Sequence, residues 1–409
     1  MKYGLIGEKL GHSFSKQIHE SLNDYKYELV ELSKEEFDDF MIRKDFTAIN
    51  VTIPYKEKVI PYLDYIDSTA EEIHAVNTIV NKNGKLYGYN TDYLGLKDLI
   101  IKNNIDVLNK KALILGTGGT SKTATAVLKN LGIKEIIYAS RDKKENTITY
   151  NDIYKHNDIQ IIINTTPVGM YPNINKSLID LDQLNNVEAV IDVIYNPLKT
   201  KLIIDAEERN IKTATGLYML VSQAVYASSI FLNKKIDKFI QDKIYNNILK
   251  EKRNIVLIGM PSCGKTSIAM ELKRILSKDF IDTDFEIEKR INKKIKDYLT
   301  EDNEEEFRDI ESSVVEDISV LNNKVISTGG GIIKRKKNIE LLKANGLIIF
   351  IDRDIDKLHT TTTRPLSSTK EKLVKLYNER YQTYISYADI VIKNDDEFIH
   401  TINKILESI

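Results

Sequence analysis

The sequence predicts an α/β protein with largely parallel sheets and more than one domain. Short apolar runs alternate with longer helical stretches over most of its length, the pattern of strand–helix–strand units. Two glycine-rich loops each follow an apolar run: Gly116-Thr117-Gly118-Gly119 after Ala112–Leu115, and Gly259 to Thr266 after Ile255–Ile258. At 409 residues the chain is long enough for two or three separate cores.

Taken in order, the candidate strands of the first part are Tyr3–Ile6, Ala48–Ile53, Ala112–Leu115, Glu135–Tyr138, Gln160–Asn164 and Ala189–Val193. Helices around a hairpin-like segment, Val76–Tyr89, fill the interval between Ile53 and Lys111. The first glycine loop comes only at Gly116, so residues 1–100 are expected to form a substrate domain and residues 101–248 a dinucleotide domain with C-terminal helices. In Phe231–Arg253, apolar residues at near-helical spacing (Ile236, Phe239, Ile240, Ile244, Ile248) predict a closing helix that runs into a short linker at 249–253. A new α/β unit then spans 254–409, with strands at Asn254–Ile258, Phe280–Asp282, Val325–Ser327, Leu347–Ile351 and Ile390–Ile392.

Composition narrows the function. Hydrophobic content of 42% and charged content of 29% suit a soluble globular protein. A formal net charge of −1 leaves no basic surplus for non-specific nucleic-acid binding. No apolar run approaches the roughly 20 residues that span a bilayer, and the first residues read as a strand rather than a secretory leader. The single Cys263 makes neither an internal disulfide nor a zinc cluster. A cytoplasmic protein with no membrane and no nucleic-acid partner is the simplest account; that its partners are small-molecule substrates, and that it is a monomer or weak homo-oligomer, are expectations that composition does not itself supply.

Gly116-x-Gly118 sits between a strand and a helical stretch, where backbone amides at a helix N-terminus can cradle a pyrophosphate. Ser121 stands at the third glycine position, so the match is partial, and an ordinary strand–turn–helix reads the same way. The next strand ends at Ala139-Ser140-Arg141-Asp142. Arg141 suits a 2′-phosphate and favours NADP; Asp142 suits a free 2′-hydroxyl and favours NAD. The N-terminal third adds Ser13-Phe14-Ser15, Asn50-Val51-Thr52-Ile53-Pro54-Tyr55-Lys56, Ala75-Val76-Asn77-Thr78 and Gly88-Tyr89-Asn90-Thr91-Asp92. Each piece alone also reads as a turn or cap.

Gly259-x-x-x-x-Gly264-Lys265-Thr266 is a full P-loop match in the required strand–loop–helix setting, a pattern that chance places in about 1% of chains this long. Its backbone cradles phosphates, Lys265 reaches the β- and γ-phosphates of ATP, and Thr266 can ligate Mg²⁺. Cys263 within the loop reads as a small filler. Downstream come Asp282-Thr283-Asp284 at a strand end, Glu304-x-x-Phe307-Arg308-x-x-Glu311 on a helix, Gly329-Gly330-Gly331 after a strand, Arg364-Pro365-Leu366 in a threonine-rich segment, and Arg380-Tyr381-x-x-Tyr384. The acidic run Glu301–Glu306 reads as a solvated face, Glu304 excepted.

The first set, in this order, closely resembles shikimate dehydrogenase over residues 1–248. Further matches are Asn164-Thr165-Thr166-Pro167-Val168-Gly169-Met170, Asp192-Val193-Ile194-Tyr195-Asn196-Pro197 and Gly216-Leu217-Tyr218-Met219-Leu220-Val221-x-Gln223-Ala224. Lys9 and Lys16 stand where that family often has proline, and Ser140 where it often has asparagine. The resemblance implies NADPH-dependent reduction of 3-dehydroshikimate to shikimate. Lys56 and Asp92 would be the catalytic pair. Ser13, Ser15, Thr52, Asn77, Tyr195 and Gln223 would hold the substrate. Gly116, Gly118, Gly119, Ser140, Arg141, Gly216 and Met219 would hold NADP(H).

The second set resembles shikimate kinase over residues 253–409. It implies transfer of phosphate from ATP to shikimate, with Lys265, Asp284 and Arg364 catalytic. Asp284, Arg308, Gly330 and Arg380 would hold shikimate; Gly259, Gly264, Lys265, Thr266 and Arg364 would hold the nucleotide; Thr266 and Asp282 would hold Mg²⁺. Asn303 replaces the family's usual glycine before Glu304, and the lid's earlier arginine has no match in His359–Thr363. The two resemblances name consecutive steps of the shikimate pathway to aromatic amino acids. The alternative is a quinate/shikimate dehydrogenase carrying a catalytically silent, regulatory kinase-like domain.

Overall fold

The computed structural model describes residues 1–11, 14–142, 144–300, 302–360 and 369–409. They divide into two compact units: Met1–Met170 with Lys176–Asn247, and Tyr171–Asn175 with Ile248–Ile409.

The first unit holds two six-stranded sheets. The N-terminal sheet comprises β1 (Tyr3–Gly7), β2 (Tyr27–Glu31), β3 (Ala48–Val51), β4 (Tyr65–Ile66), β5 (Thr78–Lys82) and β6 (Lys85–Tyr89), in the order β2-β1-β3-β5-β6-β4. β1 runs parallel to β2 and β3, while β5 runs antiparallel to β3 and β6. Helices α1 (Ser15–Leu22), α2 (Lys34–Arg43) and α3 (Ser68–Ile73) accompany these strands. The expected hairpin is β5–β6; Asn83 and Gly84 both take positive φ (55° and 82°), as a two-residue turn between right-twisted strands demands. β3 stops two residues short of the expected Ile53, because the chain turns away at Thr52 before Pro54, which has no amide hydrogen to give a ladder.

The second sheet is wholly parallel: β7 (Lys111–Leu115), β8 (Glu135–Ser140), β9 (Ile148–Thr149), β10 (Ile161–Asn164), β11 (Ala189–Asp192) and β12 (Lys212–Thr215), ordered β12-β11-β10-β7-β8-β9. From β7 the chain first fills one side of the sheet and then the other, which leaves a crevice at the carboxyl ends of β7 and β10, the usual ligand position of such sheets. β10 and β11 are buried along their whole length, and their continuous apolar runs made them legible. Edge strand β12 has one buried residue, Ala214, and was not legible. Helices α4 (Thr91–Lys102), α5 (Gly119–Asn130), α6 (Lys201–Glu208) and α7 (Gly216–Leu232) complete the unit. The α4 and α7 backbones approach closely at Gly95, where a Cβ would stand 2.7 Å from the Met219 carbonyl oxygen.

Helix α8 (Lys238–Lys252) runs up to Arg253. The stretch expected as a linker is therefore largely its last turn, held by Lys278, whose Nζ donates to the carbonyls of Lys250 (2.6 Å) and Arg253 (3.0 Å). The second unit is a five-stranded parallel sheet of β13 (Asn254–Ile258), β14 (Asp279–Asp282), β15 (Lys324–Ser327), β16 (Gly346–Asp352) and β17 (Ile390–Lys393), ordered β14-β15-β13-β16-β17. Its helices are α9 (Lys265–Leu276), α10 (Thr283–Ile291), α11 (Ile295–Tyr298), α12 (Glu304–Ser319), α13 (Lys336–Asn345), α14 (Lys370–Tyr387) and α15 (Phe398–Ser408). β13 is central and entirely buried, so the loop that leaves its carboxyl end is flanked by the ends of β15 and β16. Among the described residues no helix is long and apolar enough to cross a membrane.

Candidate active sites

In the first unit, a cavity of about 280 Å³ opens where the ends of β1, β3 and β11 meet α4 and α7. Lys56 reaches it from the turn after β3, and Asp92 from the first turn of α4. Lys56 Nζ donates to Asp92 Oδ2 at 2.6 Å, both side chains being about four-fifths buried. Asn90 fixes that helix start, accepting from the Tyr93 amide and donating to the Ala75 carbonyl. Ser15, Thr52, Asn77, Tyr195 and Gln223 line the same cavity, as do Gly216 and Met219.

The buried polar residues are held by a network. Asn77 Oδ1 accepts from the Thr91 amide (2.7 Å) and the Thr78 hydroxyl (3.0 Å), which turns the carboxamide NH₂ the other way. Asn50 accepts from the Tyr27 hydroxyl at 2.7 Å and donates to Thr78 Oγ1 at 3.0 Å. The His19 ring stacks on Tyr27 at 4.1 Å, and burial pushes its pKa down to about 3, so it is a neutral packing group. Burial also raises the Tyr195 hydroxyl. At Gly216 a Cβ would collide with the Val193 carbonyl, so glycine there meets a packing demand as well as a place in the cleft.

The first glycine loop lies in the β7–β10 crevice. Gly116 has φ +101° and presses against Thr165 and Thr166, so it is required by conformation and by contact. Gly118 and Gly119 are different: a Cβ on either would meet nothing within 4 Å. The space before the N-terminus of α5 is therefore open, and a phosphate group fits it. Ser140 is buried; its hydroxyl donates to the Asp142 carbonyl at 2.5 Å and thereby shapes the loop after β8. Arg141 is exposed, with Nε 3.5 Å from Asp142 Oδ2.

The second unit has a cavity of about 850 Å³ over the P-loop. Gly264 takes φ +100° where the loop turns into α9, a conformation that favours glycine. Lys265 Nζ donates back to the Gly259 and Met260 carbonyls at 2.9 Å each. Buried Cys263 packs against Gly259, the filler role expected of it. Thr266 Oγ1 lies 3.3 Å from Asp282 Oδ2, while Asp282 Oδ1 caps α10 by accepting from the Asp284 and Phe285 amides. One carboxylate oxygen beside one hydroxyl suits a hard divalent cation. Asp284 lies against Gly329, where a Cβ would strike its carboxylate.

Two arginines converge on the glycine triplet. Arg308, on α12, would strike a Cβ at Gly331, and is paired with Glu311 (2.9 Å) and Glu304 (3.1 Å). Burial pushes the Glu311 carboxyl up, and the Arg308 guanidinium opposes this. Arg380 Nη1, on α14, donates to the Gly330 carbonyl at 2.6 Å, joined by the Tyr384 hydroxyl at 2.6 Å. The Nε atoms of Arg308, Arg353 and Arg380 are buried without a partner among the described residues, and all three side chains line this cavity. A planar anion such as a carboxylate suits the Arg308 and Arg380 guanidinium groups at the glycine triplet.

Ser13 and Arg364 lie outside the described residues. Lys9, noted in the sequence only as a departure from the family, lines the first cavity. Two residues went unnoticed in the sequence. Lys144 Nζ donates to Thr117 Oγ1 of the glycine loop at 3.2 Å. Arg353 follows β16, and its place at the carboxyl end of a parallel strand was the available signal.

The folds and clefts define the class: a dehydrogenase-type α/β unit followed by a P-loop-kinase-like unit. Residues 5–79 match the shikimate dehydrogenase substrate binding domain, and residues 261–409 match the shikimate kinase family. A shikimate dehydrogenase (NADP(+)) from Clostridium perfringens is 37% identical over 265 residues, covering 60% of this chain and 97% of the relative. The crystal structure of shikimate dehydrogenase 1 from Peptoclostridium difficile shares 41% identity at a TM-score of 0.55, covering 61% of this chain and 98% of that one. A chorismate mutase/shikimate 5-dehydrogenase fusion protein from Clostridium acetobutylicum shares 35% identity at 0.56, covering 60% and 96%. The chain belongs to the shikimate dehydrogenase family, and it carries a shikimate-kinase-like domain fused behind that unit.

Proposed function

We propose that the first unit reduces 3-dehydroshikimate to shikimate with NADPH and that the second converts shikimate to shikimate 3-phosphate with MgATP. The domain division we propose is a substrate domain at 1–100, an NADP domain at 101–248 and a kinase domain at 254–409. The observation that carries the reading is the Lys56–Asp92 ion pair in a small polar cleft beside an open glycine loop. The relative from Clostridium perfringens supports NADP over NAD. When bound, the nicotinamide supplies hydride to the ketone carbon and MgATP supplies the phosphoryl group.

The residues do the rest. Lys56 stands at the cleft to give a proton to the ketone oxygen as negative charge develops there, and Asp92 keeps the ammonium oriented. Ser13, Ser15, Thr52, Asn77 and Gln223 bond the hydroxyls and carboxylate, and Tyr195 joins them in holding the substrate. In the second unit, Arg308 and Arg380 grip the carboxylate of shikimate at the Gly330 backbone, which leaves Asp284 to accept the proton of the reacting hydroxyl. Thr266 and Asp282 would hold Mg²⁺, and Lys265, with Arg364, would balance the charge of the transferred group.

A coupled assay tests both halves. The full chain is given 3-dehydroshikimate, NADPH and MgATP, and shikimate 3-phosphate is sought by mass. Its appearance is expected; accumulation of shikimate with ATP untouched would mean a silent kinase-like domain, and no NADPH consumption would reject the dehydrogenase.

A further inference from the structure

Arg353 has no role in either reaction as described so far. It follows Asp352, the last residue of β16, and lines the 850 Å³ cavity. Its Nε is buried and unpartnered among the described residues. A guanidinium whose Nε is closed off from solvent is fixed in direction, so what Arg353 brings to the cavity it lines is the rest of its donor fork, which calls for an acceptor there.

Position says which acceptor. β16 lies beside β13, with Phe350 opposite Ile258. The Ile351 carbonyl stands 2.7 Å from where a Cβ on Gly259 would be, so the end of β16 is packed on the first residue of the phosphate loop. The other two arginines that line this cavity, Arg308 and Arg380, gather at Gly330 and Gly331 after β15. β15 and β16 flank β13 on opposite sides. The cavity thus has two cationic flanks, with the phosphate loop between them. Among the described residues its lining holds six Lys and Arg side chains against four carboxylates, a surplus that calls for an anion of more than one charge.

We propose that Arg353 binds the polyphosphate of the nucleoside triphosphate seated on the Gly259–Thr266 loop, from the flank opposite the arginines that face the acceptor. This rests on reading the second unit as a nucleotide-dependent kinase. An arginine here supplies a fixed fork of donors to phosphate oxygens from a strand end, so its placement does not depend on closure of any loop.

The test is equilibrium titration of the full chain with MgATP, with magnesium tripolyphosphate and with shikimate, for the natural protein, Arg353→Ala and Arg353→Lys. Circular dichroism checks that each variant is folded. We expect Arg353→Ala to raise the Kd of MgATP and of tripolyphosphate about tenfold, with Arg353→Lys between and shikimate changed by less than about twofold. An unchanged MgATP Kd in Arg353→Ala overturns the proposal alone. So does a loss confined to shikimate, which would move Arg353 to the acceptor, or a loss on MgATP not shared by tripolyphosphate, which would move it to the base. Failure of the natural protein to bind MgATP overturns the kinase reading as well.

Discussion

Lys56 and Asp92 lie 36 positions apart in the chain and meet at 2.6 Å. Each was legible as a residue type at a motif position; their meeting was not, because it depends on β3 and α4 arriving at one cleft. Lys56→Ala is expected to lower kcat for shikimate oxidation by about 10²–10⁴-fold while KM moves much less, since the ammonium acts on charge present only in the transition state. Steady-state kinetics check this; an equal loss in KM alone would make Lys56 a binding group. The Arg308–Glu311 pair in the second unit is nearly inaccessible, with side-chain exposures of 5% and 2%. Removing one partner leaves a buried charge, so Glu311→Ala should destabilise the second unit by about 3–5 kcal/mol, measured by urea denaturation followed by circular dichroism.

At the scale of elements, two motifs quoted for resemblance alone gain a physical role. Asp192 ends β11 fully buried; its Oδ2 accepts from Asn164 Nδ2 (3.0 Å) and Thr200 Oγ1 (2.7 Å), and its Oδ1 from the Ile194 amide (3.0 Å). Asn164 in turn accepts from Thr166, and Thr165 donates to the Leu115 carbonyl beneath the glycine loop. One carboxylate therefore ties the end of β10, the turn toward Tyr195 and the start of α6. Burial raises its pKa from 3.8 to about 6. Ionisation is disfavoured in the fold, so the proton's contribution is fully present below pH 3.8 and is lost as pH rises to about 6, a change of about 3 kcal/mol. Asp192→Asn has no such titration and turns an NH₂ toward a donor. It should be the less stable form at pH 4, with the gap narrowing by pH 7, as read from denaturation midpoints. A gap that widens with pH would contradict this.

For the whole molecule, the two units have separate sheets, cores and clefts. Activity should divide accordingly. Lys265→Ala is expected to abolish ATP-dependent phosphorylation and leave NADPH-dependent reduction within about twofold of the natural chain, and Lys56→Ala should do the reverse. Separate assays of the two steps decide it; mutual loss would reveal energetic coupling between the units. In the coupled reaction, added labelled shikimate should mix fully with the intermediate, because a small freely diffusing product escapes quickly.

The sequence by itself determined the α/β class, the central strands, both glycine-rich loops and most of the cleft residues. Central strands are buried on both faces and so read as unbroken apolar runs, and a phosphate cradle demands glycines at set spacings. Tertiary structure alone decided the edge strands β2, β4, β9 and β12, whose neighbours supply the pairing that their composition does not announce. It alone showed that α8 continues through the expected linker, because the Lys278 ammonium that holds its last carbonyls is 25 residues or more away in the chain. It also separated glycines required by packing, such as Gly216, from those left open before a helix N-terminus, such as Gly118 and Gly119. That difference lies in what stands opposite a missing Cβ, and only the folded chain puts anything there.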